Sequence, residues 1–137
     1  MAWTFATLKV GDKDSISKVI TAEVVAKFAD VSNDNNPIHL DEAFAKTTRF
    51  GQRIAHGMIS AGLISAVHGT LIPGQGAVYM TQSLKFRAPV FYGDTLTAWA
   101  EVQEKIEDKK RVLMKNWVVN QKGETVVEGE GLLLFNV

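Results

Sequence analysis

Gly57-Met58-Ile59-Ser60-Ala61-Gly62-Leu63-Ile64-Ser65-Ala66-Val67-His68-Gly69-Thr70-Leu71-Ile72 is the stretch that decides the fold. It lies in a longer block, Ile54 to Leu84, that holds no Asp, Glu, Lys or Arg. A membrane-spanning helix needs about 20 mostly apolar residues. This run is shorter, and it carries Ser60, Ser65, His68 and three glycines. Its apolar residues fall nearly all round a helical wheel, which is the pattern of a helix buried on most sides. Ser60, Ala61, Gly62, Ser65 and Ala66 are small enough to let other backbone approach. A central core helix is therefore expected, ending near Gly69, with Pro73-Gly74 as a firm stop.

Beyond Gly76 the periodicity changes to two. Over Ala77–Phe86, the residues Val78, Met80, Leu84 and Phe86 share one face and Tyr79, Thr81, Ser83 and Lys85 the other, which predicts a strand. Gln82 falls on the apolar face. Thr95–Val102 alternates again, with Leu96, Ala98, Ala100 and Val102 on one side. Glu107-Asp108-Lys109-Lys110 is a polar connection. Arg111–Val119 reads as a strand, Gln121-Lys122-Gly123 as a hairpin turn, and Thr125–Phe135 as the last strand. The C-terminal half is thus expected to be a four-strand antiparallel meander.

The N-terminal half is mixed. Trp3–Val10 and Ser15–Ile20 are short strand candidates around Gly11-Asp12. Thr21 can cap a helix from Ala22 to about Val31, with Val24, Val25, Phe28 and Ala29 facing inward. Asn36-Pro37 holds the backbone extended, because proline disfavours the α region for the residue before it. Asp41–Lys46 predicts a short helix. One bent antiparallel sheet wrapped round one apolar helix accounts for this order. It is an α+β arrangement, and the hot-dog fold is the version that fits.

Composition narrows the function. The 137 residues make about one domain, and 15 Lys+Arg balance 15 Asp+Glu. That balance excludes a nucleic-acid binder working by bulk charge. With 46% apolar and 22% charged residues the chain is not a disordered one. With no cysteine there is no disulfide scaffold, thiolate metal site or Cys nucleophile. No basic region followed by an apolar run opens the chain, so no signal peptide is read and a cytoplasmic location is the default expectation.

The reactive inventory is then three His, the carboxylates, the hydroxyls and the lysines. Asp34-Asn35-Asn36-Pro37-Ile38-His39 places a carboxylate and an imidazole five residues apart across a stiffened turn. Such a pair can hold one water and exchange protons with it. The plainer alternative is a turn-forming Asp and a surface or core His. His56-Gly57-Met58 opens the apolar helix, where the first N–H groups lack intrahelical partners. Gly57 allows a ligand near that positive end, which suits an oxyanion site; an ordinary glycine helix start is the alternative.

Taken together, Asp34-Asn-Asn-Pro-Ile-His39-Leu-Asp, Ile54-Ala-His56-Gly57-Met58 and Gln82-Ser83-Leu-Lys-Phe86 resemble the MaoC-like hydratase/dehydratase family, in particular its short single-domain (R)-specific enoyl-CoA hydratases. The likeness runs from about Val10 to Phe135, so residues 1–137 are expected to form one such domain. The resemblance implies a hot-dog fold, a homodimer, and addition of water to trans-2-enoyl-CoA, with no cofactor. It makes Asp34 and His39 the catalytic pair and the Gly57 N–H the oxyanion donor. Asn36 and Gln82 are the further substrate-binding candidates, Gln82 having a second reading as a support for buried backbone.

Some members carry a serine six residues after the His of His-Gly-Met. Here that position is Gly62, and Ser60 and Ser65 are expected to point elsewhere. No metal is expected, because the three His are scattered in sequence and lack Cys. The substrate is expected to be an acyl-CoA or acyl-carrier-protein thioester, with neither nucleic acid nor membrane as partner. Two other readings stand beside the hydratase. A hot-dog thioesterase would want a carboxylate near the core helix, where the sequence offers none. A non-catalytic acyl-thioester binding module would not need Asp34.

Overall fold

The computed structural model describes residues 2–137. Six strands form one antiparallel sheet: β1 (Lys13–Val19), β2 (Val78–Gln82), β3 (Lys85–Phe86), β4 (Thr95–Ile106), β5 (Arg111–Val119) and β6 (Thr125–Leu134). The helices are α1 (Ala22–Ser32), α2 (Pro37–Leu40), α3 (Glu42–Ala45) and α4 (Gly57–Thr70), with a 3-10 turn at Glu107–Lys109. Among the described residues no helix is long and apolar enough to cross a membrane.

The apolar run forms α4, which packs against β4, β1 and β5. Ile59, Leu63, Ile64 and Val67 meet Leu96, Ala98, Ala100 and Val102 of β4 in one core. The small Ala98 and Ala100 leave room for the helix to lie close. Each large aliphatic side chain buried there contributes roughly 1.5–3 kcal/mol. α1 starts as expected, with the Thr21 hydroxyl accepting from the Val24 N–H at 3.2 Å.

Four expectations change. Trp3–Val10 is not a strand: Thr4 and Thr7 bond each other's backbone and side chains, and these local bonds replace ladder bonds. Phe5 and Leu8 are still buried and anchor that turn in the core. Ala77–Phe86 is not one strand but two, and β2 itself carries an irregularity between Tyr79 and Thr81. The four C-terminal strands are not a simple meander. The sheet order is β1-β4-β5-β6-β2, and β3 also pairs with β6. The segment 87–94, with Pro89 and Gly93 at φ 94°, carries the chain across to β4.

The fourth change concerns α4. The sheet covers only one side of it, so Met58, Gly62, Ser65 and Gly69 are exposed in the single chain. Val78, Met80 and Phe86, expected to share the apolar face of a strand, are exposed as well.

Candidate active site

α1 ends at Asn33, whose φ of 64° turns the chain back on itself. The Asp34 N–H then donates to the Ser32 hydroxyl at 3.2 Å, and the Asn36 N–H to Asp34 Oδ1 at 3.2 Å. Asn36 Oδ1 accepts from the Ile38 N–H at 3.1 Å and so caps α2, with Pro37 at its first position. These bonds fix the loop that carries Asp34 on one side and His39 on the other.

His39 sits at the end of α2. Its Nδ1 lies 2.8 Å from the Ile54 carbonyl oxygen, so Nδ1 carries the hydrogen and donates it. Nε2 is left as a lone pair. The Tyr92 hydroxyl donates to the His39 main-chain carbonyl and ties the same turn to the 91–93 segment. Burial pushes the His39 pKa below its ordinary value. The Ile54 carbonyl and the Asp34 carboxylate pull it back up, and His56 pulls it down. His39 is therefore a neutral imidazole at pH 7.

His56 precedes α4 and is almost completely buried. Its Nε2 is 2.9 Å from the Asp34 main-chain carbonyl and donates to it. Its ring packs against His39 in a tilted arrangement, with centroids 3.9 Å apart and 31° between planes, and Phe28 covers it at 4.8 Å. Asp34, His39 and His56 each bring one donor atom within 4.8 Å of the others. The expectation of scattered His is thus corrected: the fold gathers two of the three, and only His68 lies apart. This trio has the spacing of a metal site. One nitrogen of each ring is already engaged, His39 Nδ1 by the Ile54 carbonyl and His56 Nε2 by the Asp34 carbonyl.

Beside His39 opens a cavity of about 500 Å³. Its wall includes Ile54, Gly57, Met58, Ser60, Phe86 and Val127, and the exposed Arg49 and Arg87 also line it. The volume and apolar lining are those of a small-ligand site. Gly57 is the first residue of α4, so its N–H has no partner within the helix. A Cβ at Gly57 would come 2.7 Å from Phe86 Cε1, so the bare backbone is what lets the Phe86 ring close against the helix start. Among the described residues no Asp or Glu lines the cavity itself, and the carboxylate grouped with His39 and His56 is that of Asp34.

Residues 7–124 match the MaoC-like domain family. The chain belongs to that family.

MaoC-like relatives resemble this chain over nearly its whole length. An (R)-specific enoyl-CoA hydratase of Rhodospirillum rubrum is 46% identical over 130 residues, covering 95% of this chain and 90% of the relative. A 3-hydroxybutyryl-CoA dehydratase of Methylorubrum extorquens is 46% identical over 129 residues, covering 94% and 82%. The solved (R)-hydratase of Aeromonas caviae, described as involved in PHA biosynthesis, superposes with a TM-score of 0.91 at 44% identity, covering 94% of this chain and 98% of that one. The hot-dog fold of this MaoC-like chain follows from that likeness together with the antiparallel sheet packed on α4.

Within this MaoC-like site, Asp34 and His39 come together and Gly57 lies in the cavity wall. Asn36 is engaged as the α2 cap. Gln82 lies outside the cavity wall. Its Oε1 accepts from the Tyr79 hydroxyl at 2.6 Å, and its Nε2 donates to the Ser83 carbonyl at 2.9 Å and to Asn116 Oδ1 at 3.1 Å. Asn116 Nδ2 in turn donates to His68 Nε2 at 2.9 Å, and His68 Nδ1 meets the Tyr79 hydroxyl at 3.0 Å. The four side chains close a ring of hydrogen bonds between α4 and the sheet.

Two residues of the site escaped the sequence reading. Ser60, expected to point elsewhere, is buried in the cavity wall with its hydroxyl unpartnered. Its spacing of three from Gly57 puts both on one helix face, which was the available signal. Gly62 is on the exposed side of α4, and a Cβ there would touch nothing within 4 Å. The other residue is His56, passed over for its neighbour Gly57.

Proposed function

We propose that this chain catalyses the reversible (R)-specific hydration of trans-2-enoyl-CoA to (R)-3-hydroxyacyl-CoA. The observation that carries the reading is a neutral His39, its Nε2 lone pair unused, beside the Asp34 carboxylate at the edge of an apolar cavity that begins at Gly57.

The thioester carbonyl accepts a hydrogen bond from the Gly57 N–H at the positive end of α4, which makes C3 electrophilic. Asp34 and His39 hold a water against C3. As its oxygen bonds C3, one proton of the water passes to the pair, and the pair delivers a proton to C2 as the enolate collapses. The net change is addition of H and OH across the double bond. Asn36 supports substrate binding through the loop it caps, and Gln82 through the sheet edge it secures.

The acyl group is carried on CoA or acyl carrier protein. Arg49 at the cavity suits the phosphates of either carrier, while Arg87 is paired with Glu128. The exposed apolar side chains Met58, Val78, Met80 and Phe86 support a homodimer that covers them and completes the pocket. We place the enzyme in the cytoplasm as one domain spanning residues 1–137. There it supplies (R)-3-hydroxyacyl thioesters of the kind used as polyhydroxyalkanoate precursors.

The test is loss of enoyl-thioester absorbance on mixing with crotonyl-CoA. Wild-type protein is expected to turn over, and the Asp34→Asn, His39→Gln double variant to lose the activity. Equal rates for the two proteins would sink the proposal. Thiol release from acyl-CoA would instead indicate a thioesterase.

A further inference from the structure

His56 has the wrong chemistry for every ordinary role at its position. It stands at the cap position of α4 but makes no capping bond, where Ser, Thr, Asn or Asp would. It is 3% exposed, and its Nδ1 is buried without a partner. A buried nitrogen left unpaired costs stability that an apolar side chain would avoid. The imidazole must therefore supply something a Leu or Phe cannot.

It touches both halves of the reacting pair. Nε2–H donates to the main-chain carbonyl of Asp34 at 2.9 Å, so it holds the loop without competing for the carboxylate. One ring face lies on His39 with centroids 3.9 Å apart, and Phe28 backs the ring at 4.8 Å. The His39 ring thus has two restraints, the Ile54 carbonyl in its plane and His56 on its face. Asp34 and His39 are otherwise joined only through a loop whose residues 34–37 are exposed.

We infer that His56 is a positioning residue, a buried spacer that sets the separation of Asp34 and His39 around the attacking water. This rests on the hydratase reading for its kinetic consequence. A misplacement of about 1 Å in such a pair can cost on the order of 100-fold in rate.

Three variants separate the spacer's two contacts. His56→Phe keeps a ring on His39 and loses the donor to Asp34. His56→Gln keeps a donor and loses the ring. His56→Ala loses both. Each is measured for kcat and KM with crotonyl-CoA, for the acid limb of kcat/KM, for its folded fraction by circular dichroism, and for the His39 pKa by ring-proton NMR.

The expected result is a kcat lower by roughly 10- to 100-fold in His56→Ala, with KM little changed and partial recovery in Gln or Phe. The groups facing His56 are His39, Phe28 and the Asp34 carbonyl. His56 depresses the His39 pKa, so the His39 titration and the acid limb are expected to move to higher pH in all three variants. A purely structural role predicts a rate loss proportional to the unfolded fraction with the titration and the limb unmoved, and that result overturns the inference. So does wild-type kcat in folded His56→Ala. If wild-type protein itself fails to hydrate crotonyl-CoA, the hydratase reading falls. The His39 titration still decides whether His56 governs the pair.

Discussion

The Nδ1 of His39 and the main-chain carbonyl of Ile54 are joined at 2.8 Å across fifteen residues of sequence. That bond selects the tautomer, and with it the chemistry, because it leaves Nε2 as the free base. Ile54 is itself held: its N–H donates to the Ile38 carbonyl at 3.2 Å, and it bridges Phe91. The orientation of the imidazole is thus set by the turn between α3 and α4.

The pH profile follows from this setting. Burial holds the His39 pKa below the ordinary histidine value of 6.5. Activity that needs neutral His39 is kept above that depressed pKa and lost as pH falls through it. The acid limb of kcat/KM for crotonyl-CoA is expected at an inflection under 6.5. An inflection above that value would contradict a neutral, buried His39. His39→Gln is expected to cost roughly 100- to 10,000-fold in kcat.

Gly57→Ala tests the closeness of α4 to β3. The new Cβ would stand 2.7 Å from Phe86 Cε1, so the ring must swing out of the cavity wall. We expect a loss of about tenfold or more in kcat/KM, since an oxyanion donor works only at short range. Adding Phe86→Ala removes the clash and should restore part of the rate, read as a non-additive double-mutant cycle. Strict additivity would show that Phe86 is not what the methyl disturbs.

Ser60 makes the opposite kind of prediction. Its hydroxyl is buried, unpaired and set in an apolar wall. Ser60→Ala removes that unpaired group, so the free protein should unfold at higher denaturant, by about 1 kcal/mol. Hydration of crotonyl-CoA should be kept or improved. A destabilised variant with poor turnover would mean that the hydroxyl has a partner in the working enzyme.

His68 controls acid stability rather than catalysis. Burial lowers its pKa from 6.5 to about 4, and its ring nitrogens are tied to Asn116 and Tyr79. Between those two values the unfolded chain binds a proton that the folded chain refuses. Stability is therefore full above pH 6.5 and falls as pH drops toward 4, by on the order of 3 kcal/mol. Urea unfolding from pH 7 to 4 measures it. His68→Gln should flatten the dependence while leaving the pH profile of hydration in place, and an unchanged slope would refute the assignment.

Much of the site was legible because its parts are local. Asp34 and His39 share one stiff loop, and a Gly after His at a helix start reads as an open helix N-terminus wherever the helix lies. The roles of His56 and Ser60 were not legible. His56 works through contacts with residues 17 and 22 positions away, and no local pattern encodes them. Gln82 read first as a support for buried groups and second as a ligand group, and its bond to Asn116, 34 positions away, comes from sheet pairing.

The same division runs through the fold. By itself the sequence determined the elements with strong periodicity: α4 from its charge-free run, β4 and β5 from their alternation, and α1 from the Thr21 cap. Those signals lie within one element, where spacing and local hydrogen bonds suffice. Only the tertiary structure decided that β2 lies beyond β6, that one side of α4 stays open, and that His39 packs against His56. These follow from which apolar faces cover one another, and that competition is settled between segments far apart in the chain.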